Sequence, residues 1–153
     1  LEPYKNYSFI YEACNSIGCT RQIEPILVQT LESLPKNQPT PIVQRIEIDK
    51  NVNPCFSIKW SLPLHPNGLI IFFEIYKISI PNDGYEVHNL VKNISILNEN
   101  LLRTLSLTES QNKNFSLLDC DLFENTFYSY RIVSINNKGK TESNMSKPII
   151  SKQ

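Results

Sequence analysis

The residues in this chain with obvious chemistry are four cysteines, Cys14, Cys19, Cys55 and Cys120, and two histidines, His65 and His88. An even number of thiols can pair by oxidation, and the cysteine spacing matches no zinc-ligand set. A second chemistry is carbohydrate attachment. Asn6-Tyr7-Ser8, Asn93-Ile94-Ser95, Asn114-Phe115-Ser116 and Asn144-Met145-Ser146 all satisfy the N-x-S/T pattern. Such tripeptides also arise by chance in an Asn-rich chain, and the thiols could stay free. Paired cysteines together with sequons favour an oxidising, extracellular setting.

Other chemistry is missing. The glycines stand singly at 18, 68, 84 and 139, so no phosphate-cradling loop is possible. His65 falls in a turn and His88 on an edge strand, neither with a cysteine or carboxylate at ligand spacing, so both read as solvated. No G-x-S-x-G, H-E-x-x-H or C-x-x-C string occurs. The expectation is therefore no catalytic residue, no metal, no cofactor, no small-molecule substrate and no enzyme. Fifteen basic residues balance fifteen acidic ones without a basic stripe, which argues against nucleic acid. The longest apolar run, Leu69 to Phe73, is far short of the roughly 20 residues of a membrane helix. A secretory leader is not read at the N-terminus, as expected of a piece of a longer protein. A hydrophobic content of 41% is enough for a packed core.

These groups must be positioned by strands. Leu122, Tyr128, Tyr130, Ile132 and Ser134 keep one parity, the pattern of a half-buried strand. It runs into the turn signal Asn136-Asn137-Lys138-Gly139. The same register occurs once before. Leu1, Tyr7, Phe9, Tyr11, Ala13, Asn15 and Gly18 each precede their counterparts Leu122, Tyr128, Tyr130, Ile132, Ser134, Asn136 and Gly139 by 121 positions. A repeat over a strand-turn-strand unit points to tandem modules of one fold.

Taken in order, Leu1 to Leu31 reads as two strands joined by the turn Asn15–Gly18, with Gly18 supplying a positive φ. Tyr7, Phe9, Tyr11 and Ala13 face one way. Cys14 and Cys19 flank the turn, where cross-strand Cα atoms come within about 5.5 Å, in disulfide range. Closing so short a loop contributes roughly 2 kcal/mol by chain entropy. Pro35, Pro39 and Pro41 make the next segment a stiff linker. Ile42, Ile46 and Ile48 suggest a first strand of the second unit. Phe56, Ile58 and Trp60 alternate with polar residues in a second. A third runs over Leu69 to Ser79 with Ile70, Phe73 and Ile75 inward. Tyr85 to Val91 reads as a short edge strand. Lys92 to Lys113, with Leu97, Leu101, Leu102 and Leu105, reads as an elaborated connection. Phe115 and Leu117 carry a strand inward, and the tyrosine-bearing strand and one ending at Ile149-Ile150 complete the unit. Seven strands separated by turn signals describe an all-β sandwich.

These residues resemble the fibronectin type III family. Trp60 followed by Pro63, then Pro66-Asn67-Gly68-x-Ile70-x-x-Phe73-x-Ile75, is similar to its second strand, turn and third strand, with Phe73 for the more usual Tyr. Leu122-x-Glu124-x-Thr126-x-Tyr128 resembles its tyrosine corner. Glu124 departs from the usual Pro, which the first copy keeps at Pro3. Asn136-x-x-Gly139 and Asn15-x-x-Gly18 resemble its F–G turn, and the cysteine-flanked form Cys14–Cys19 is similar to turns in long extracellular arrays of such modules.

The resemblance implies a seven-stranded immunoglobulin-like antiparallel sandwich over Pro39 to Gln153. It implies that Leu1 to Leu31 are the F and G strands of a preceding module, with 32–38 as linker. Trp60, Phe73, Leu122 and Tyr128 become structural core. In that fold the start of strand B lies antiparallel to the end of strand E, so outward-facing Cys55 and Cys120 would meet and pair. The implied function is a non-catalytic structural and adhesion module, extracellular, in a secreted protein or the ectodomain of a membrane-anchored one. Its partners would be neighbouring modules and other proteins. The alternative is a ligand-binding module of a receptor ectodomain, which should leave apolar anchors at the loop ends. Ile17 and Phe123 are the exceptions in loops otherwise built of Asn, Ser, Lys and Pro. No Arg-Gly-Asp or Trp-Ser-x-Trp-Ser string is present.

Overall fold

The computed structural model describes residues 1–47, 54–81, 84–95 and 114–151. Among them every regular element is a strand: β1 (Asn6–Phe9), β2 (Glu12–Cys14), β3 (Cys19–Arg21), β4 (Ile26–Gln29), β5 (Ile42–Ile46), β6 (Cys55–Ser61), β7 (Phe72–Ile80), β8 (Val87–Ser95), β9 (Asn114–Asp119), β10 (Phe127–Asn136), β11 (Gly139–Glu142) and β12 (Ile149–Ile150). All pairings are antiparallel. One sheet has the order β5-β6-β9. A second has β11-β10-β7-β8, with β12 also on β10. The pairs β1-β4 and β2-β3 stand apart from both.

Alternation decides which side chains meet. Phe56, Ile58 and Trp60 of β6 and Phe73, Ile75, Tyr128, Tyr130 and Ile132 of β7 and β10 form one buried cluster with Ile70 and Leu122. Phe56 meets Tyr128 edge-on at 5.9 Å, and Trp60 meets Phe73 edge-on at 5.7 Å while stacking on Phe115 at 5.8 Å. Each such side chain taken from water contributes about 1.5–3 kcal/mol.

Several expectations change. The first strand of the second unit turns Val43 toward the core and leaves Ile42 exposed. The isoleucine spacing misled because Ile42 and Ile46 share the outer parity, and Ile48 lies outside the described residues. The edge strand β8 runs to Ser95, past the expected end at Val91. The segment carrying Leu97, Leu101, Leu102 and Leu105 lies outside the described residues. The N-terminal hairpin is two short pairs rather than two unbroken strands. Tyr11 O accepts from Gln22 N at 3.0 Å and keeps the pairs in line. Gly18 is not in a left-handed conformation. Its turn is closed by the Asn15 side chain instead, whose Oδ1 accepts from Ile17 N (2.9 Å) and Gly18 N (3.0 Å).

Candidate functional site

The second turn shows what an asparagine there can do. Asn136 ends β10 with its Oδ1 accepting from Lys138 N (2.9 Å) and Gly139 N (3.1 Å), which shapes the turn. Its Nδ2 donates to Ser33 O (2.8 Å) and Pro66 O (3.2 Å). One buried side chain thus holds its own turn, the 63–68 loop and the proline-containing segment. Around it Glu32 Oε1 accepts from Leu69 N (3.0 Å), and Glu32 Oε2 accepts from Asn137 Nδ2 (3.3 Å). Asn67 Nδ2 donates to Leu34 O (2.8 Å), and Lys36 and His65 exchange backbone bonds. Two glycines sit here at close approach. A Cβ on Gly68 would come within 2.9 Å of Asn136 Nδ2 and of the Glu32 carboxyl, and one on Gly139, at φ 150°, would land on Leu34 Cδ2.

The segment expected to be stiff because of Pro35, Pro39 and Pro41 is therefore also hydrogen-bonded along its length. Gln38, buried, donates from Nε2 to Ser61 O (2.9 Å) and accepts from Ser134 Oγ. A cleft of about 590 Å³ lies beside this joint, lined by Pro3, Tyr4 and Lys5 on one side and Lys36, His65 and Asn67 on the other.

The repeat read in the sequence recurs in the geometry. Pairs Tyr7–Val28 and Tyr128–Ile149, and Cys14–Cys19 and Ile135–Lys140, keep the spacing of 121. Tyr4 and Asn125 are both left-handed, at φ 52° and 53°. The Tyr7 hydroxyl accepts from Glu2 N, and the Tyr128 hydroxyl from Phe123 N, both at 2.7 Å. The Thr30 hydroxyl bridges Lys5 N and Glu2 O as the Ser151 hydroxyl bridges Thr126 N and Phe123 O.

The cysteines form two disulfides, Cys14–Cys19 and Cys55–Cys120. Glu12 lies close to the first pair, but both sulfurs are committed to each other and none is a free metal ligand. Cys55 stands on the outer parity as expected and is nevertheless buried, at 1% exposure. Trp60, Phe73, Leu122 and Tyr128 all lie in the core. Asn6, Asn114 and Asn144 are exposed, and Asn93 stands in β8. His88 is exposed with Glu86 3.6 Å away, a carboxylate that the spacing argument overlooked.

The sequence reading missed a buried polar cluster. Lys77 Nζ lies 3.0 Å from Asp119 Oδ2, with the side chains only 10% and 4% exposed. It also donates to Asp121 O (2.7 Å), and Tyr130 donates its hydroxyl to Asp119 Oδ2 (2.9 Å). Burial, then the neighbouring Asp119 charge, pushes the Tyr130 phenol well above the usual tyrosine range. Lys77 belongs to β7 and Asp119 to β9, so this pair ties the two sheets together. The available signal was parity: Lys77 follows Phe73 and Ile75, and Asp119 follows Phe115 and Leu117, at steps of two.

Comparison with known proteins finds similarity to a short segment of longer chains. No family model matches. Over 145 residues the chain is 30% identical to "Usherin" of Mus musculus, and over 143 residues 27% identical to "Usherin" of Homo sapiens. Each match covers 94% of this chain and 2% of the relative, so the chain is similar to a short segment of proteins far longer than itself.

Proposed function

We propose that this chain is a non-catalytic part of an extracellular array of fibronectin type III modules, whose task is to hold neighbouring modules at fixed spacing and angle. In this reading Leu1 to Leu31 are the F and G strands of one module, 32–38 the linker, and 39–153 a complete seven-stranded sandwich. Strands β5, β6 and β9 would be its A, B and E, and β8, β7, β10 and β11 its C′, C, F and G. The observation that carries the reading is the repeat at 121 positions, which reproduces strand register, left-handed residue and tyrosine-hydroxyl bond in both copies. The likeness to a segment of usherin and the two disulfides support the extracellular setting. The Asn136 joint supports the fixed angle, since side chains and backbone of the linker are bonded to both loops of the following module.

The test is residual dipolar coupling on a fragment that contains both complete modules. A shared alignment tensor is expected, and Asn136→Ala combined with Glu32→Ala should separate the two tensors more than replacing Pro35, Pro39 and Pro41 by Gly. Independent tensors in the unmodified protein would remove the reading. One observation favours the receptor alternative: Ile17 is 94% exposed at the tip of a disulfide-closed turn. Ile17→Asp should then abolish capture of a cell-surface partner, and leave an array spacer unaffected.

A further inference from the structure

We propose that Asn6, Asn93, Asn114 and Asn144 carry N-linked glycans and that those on Asn93, Asn114 and Asn144 sheath the open edges of the two larger sheets. The proposal rests on the extracellular reading. Asparagine is disfavoured within strands, and here Asn15, Asn67, Asn125 and Asn136 serve turns or strand ends in the ordinary way. What three of the sequon asparagines share is an edge, since the non-sequon Asn89 also lies within a strand. Asn93 lies in β8 and Asn114 opens β9, each an edge strand of one of the two larger sheets. Asn144 lies in the other edge segment, between β11 and β12. Asn6 opens β1, which the repeat makes the counterpart of the interior strand β10, so it is not placed on an edge.

An open edge offers unpaired N–H and C=O groups to any passing strand, and folded proteins blunt it with charge, proline or cover. Of the larger sheets' edges among the described residues, only β5 has no sequon. It is directly preceded by Pro41, as β12 is by Pro148, and it carries Arg45 opposite Phe56 at the inward parity. Both are edge devices of another kind, so every edge of the two larger sheets among the described residues has one. A glycan is bulky and solubilising and would serve the remaining three.

The modification is a group transfer. The Asn side-chain nitrogen forms a bond to the anomeric carbon of an oligosaccharide pyrophosphate donor. The carbon–oxygen bond to pyrophosphate breaks, pyrophosphate leaves with the electron pair, and the amide gives up one proton. At Asn144 this must precede folding, because the sequon hydroxyl of Ser146 is buried and accepts from Tyr130 N at 2.9 Å.

The test begins with the full chain secreted from eukaryotic cells. Peptide mapping after peptide-N-glycosidase treatment should show Asn-to-Asp conversion at all four positions. Sedimentation velocity should then show the glycosylated chain as a monomer at concentrations where the enzymatically stripped chain self-associates, with at least a tenfold gain in association. The N6Q/N93Q/N114Q/N144Q variant, which adds no charge, should behave as the stripped chain does. Unmodified asparagines in an oxidised, secreted chain would overturn the proposal, and so would a stripped chain that stays monomeric. Either result leaves the extracellular reading intact. Reduced cysteines in the native parent protein would instead overturn that reading.

Discussion

The stretch from Leu1 to Leu31 and the stretch beginning at Leu122 share backbone geometry and differ in burial. Phe9 corresponds to Tyr130 and Tyr11 to Ile132. The later pair is fully buried, whereas Phe9 and Tyr11 are 44% and 61% exposed. The hydrogen bonds that shape the two copies are nevertheless the same. Local sequence is thus sufficient for turn shape, register and the tyrosine-hydroxyl bond. Burial needs a partner: β7 beside β10, and β6 across the core. The turns differ in a related way. Asn15–Gly18 is closed by a disulfide, and Asn136–Gly139 is held by the linker packed on it.

The largest expected break in this comparison comes from truncating equivalent aromatics. Tyr130→Ala should lower unfolding stability in denaturant by about 3–5 kcal/mol. Phe9→Ala should change it by less than about 1 kcal/mol, because a half-exposed side chain leaves little cavity. Equal effects would mean that the N-terminal copy is packed as tightly as the other. Amide exchange gives the same contrast without mutation: slow around Tyr130 and Ile132, fast from Tyr7 to Ala13.

Disulfide removal comes next. Replacing Cys55 and Cys120 by Ala opens a long loop and should cost roughly 4 kcal/mol of global stability under the chain-entropy model. Replacing Cys14 and Cys19 opens a short one, worth roughly 2 kcal/mol at most. That loss should appear as local fraying of β2 and β3, with the midpoint of the main transition unmoved. A shifted main transition would show that the two regions unfold as one.

The turn asparagines test the same asymmetry more gently. Asn136→Ala removes four hydrogen bonds of a buried side chain and should cost about 1–3 kcal/mol. Asn15→Ala removes two exposed ones, worth about 1 kcal/mol or less. Thermal denaturation of the two variants side by side checks the ratio.

The smallest effect is alkaline. The folded phenol of Tyr130 titrates above the unfolded value of about 10, so its contribution is complete below that pH. Stability should fall as pH rises past that value, because the unfolded chain loses the proton that the folded chain keeps. Tyr130→Phe should flatten that part of the denaturant-midpoint profile. Its counterpart Phe9 has no phenol and contributes nothing there.

Much of the architecture was legible from short-range pattern. The parity of Phe56, Ile58 and Trp60, the Asn-x-x-Gly turns and the spacing of the two copies are local signals, and a strand's face is set by alternation. The joint was only half legible. Prolines announced a stiff linker, but nothing near Glu32 or Ser33 indicates that Asn136 and Gly68 await them, because those bonds join residues far apart in the chain. The Lys77–Asp119 pair was hidden for a similar reason. A lysine at core parity looks like a break in the pattern until a carboxylate from the opposite sheet is placed against it.

Sequence by itself determined strand periodicity, turn chemistry, the repeat and the supply of thiols, since each depends on neighbours within a few residues. Tertiary structure alone decided what the second copy packs against, that a Cβ on Gly139 would meet the Leu34 side chain, and how a buried cation is tolerated. Those outcomes depend on which distant groups share a low-dielectric space, and spacing along one chain does not encode that directly.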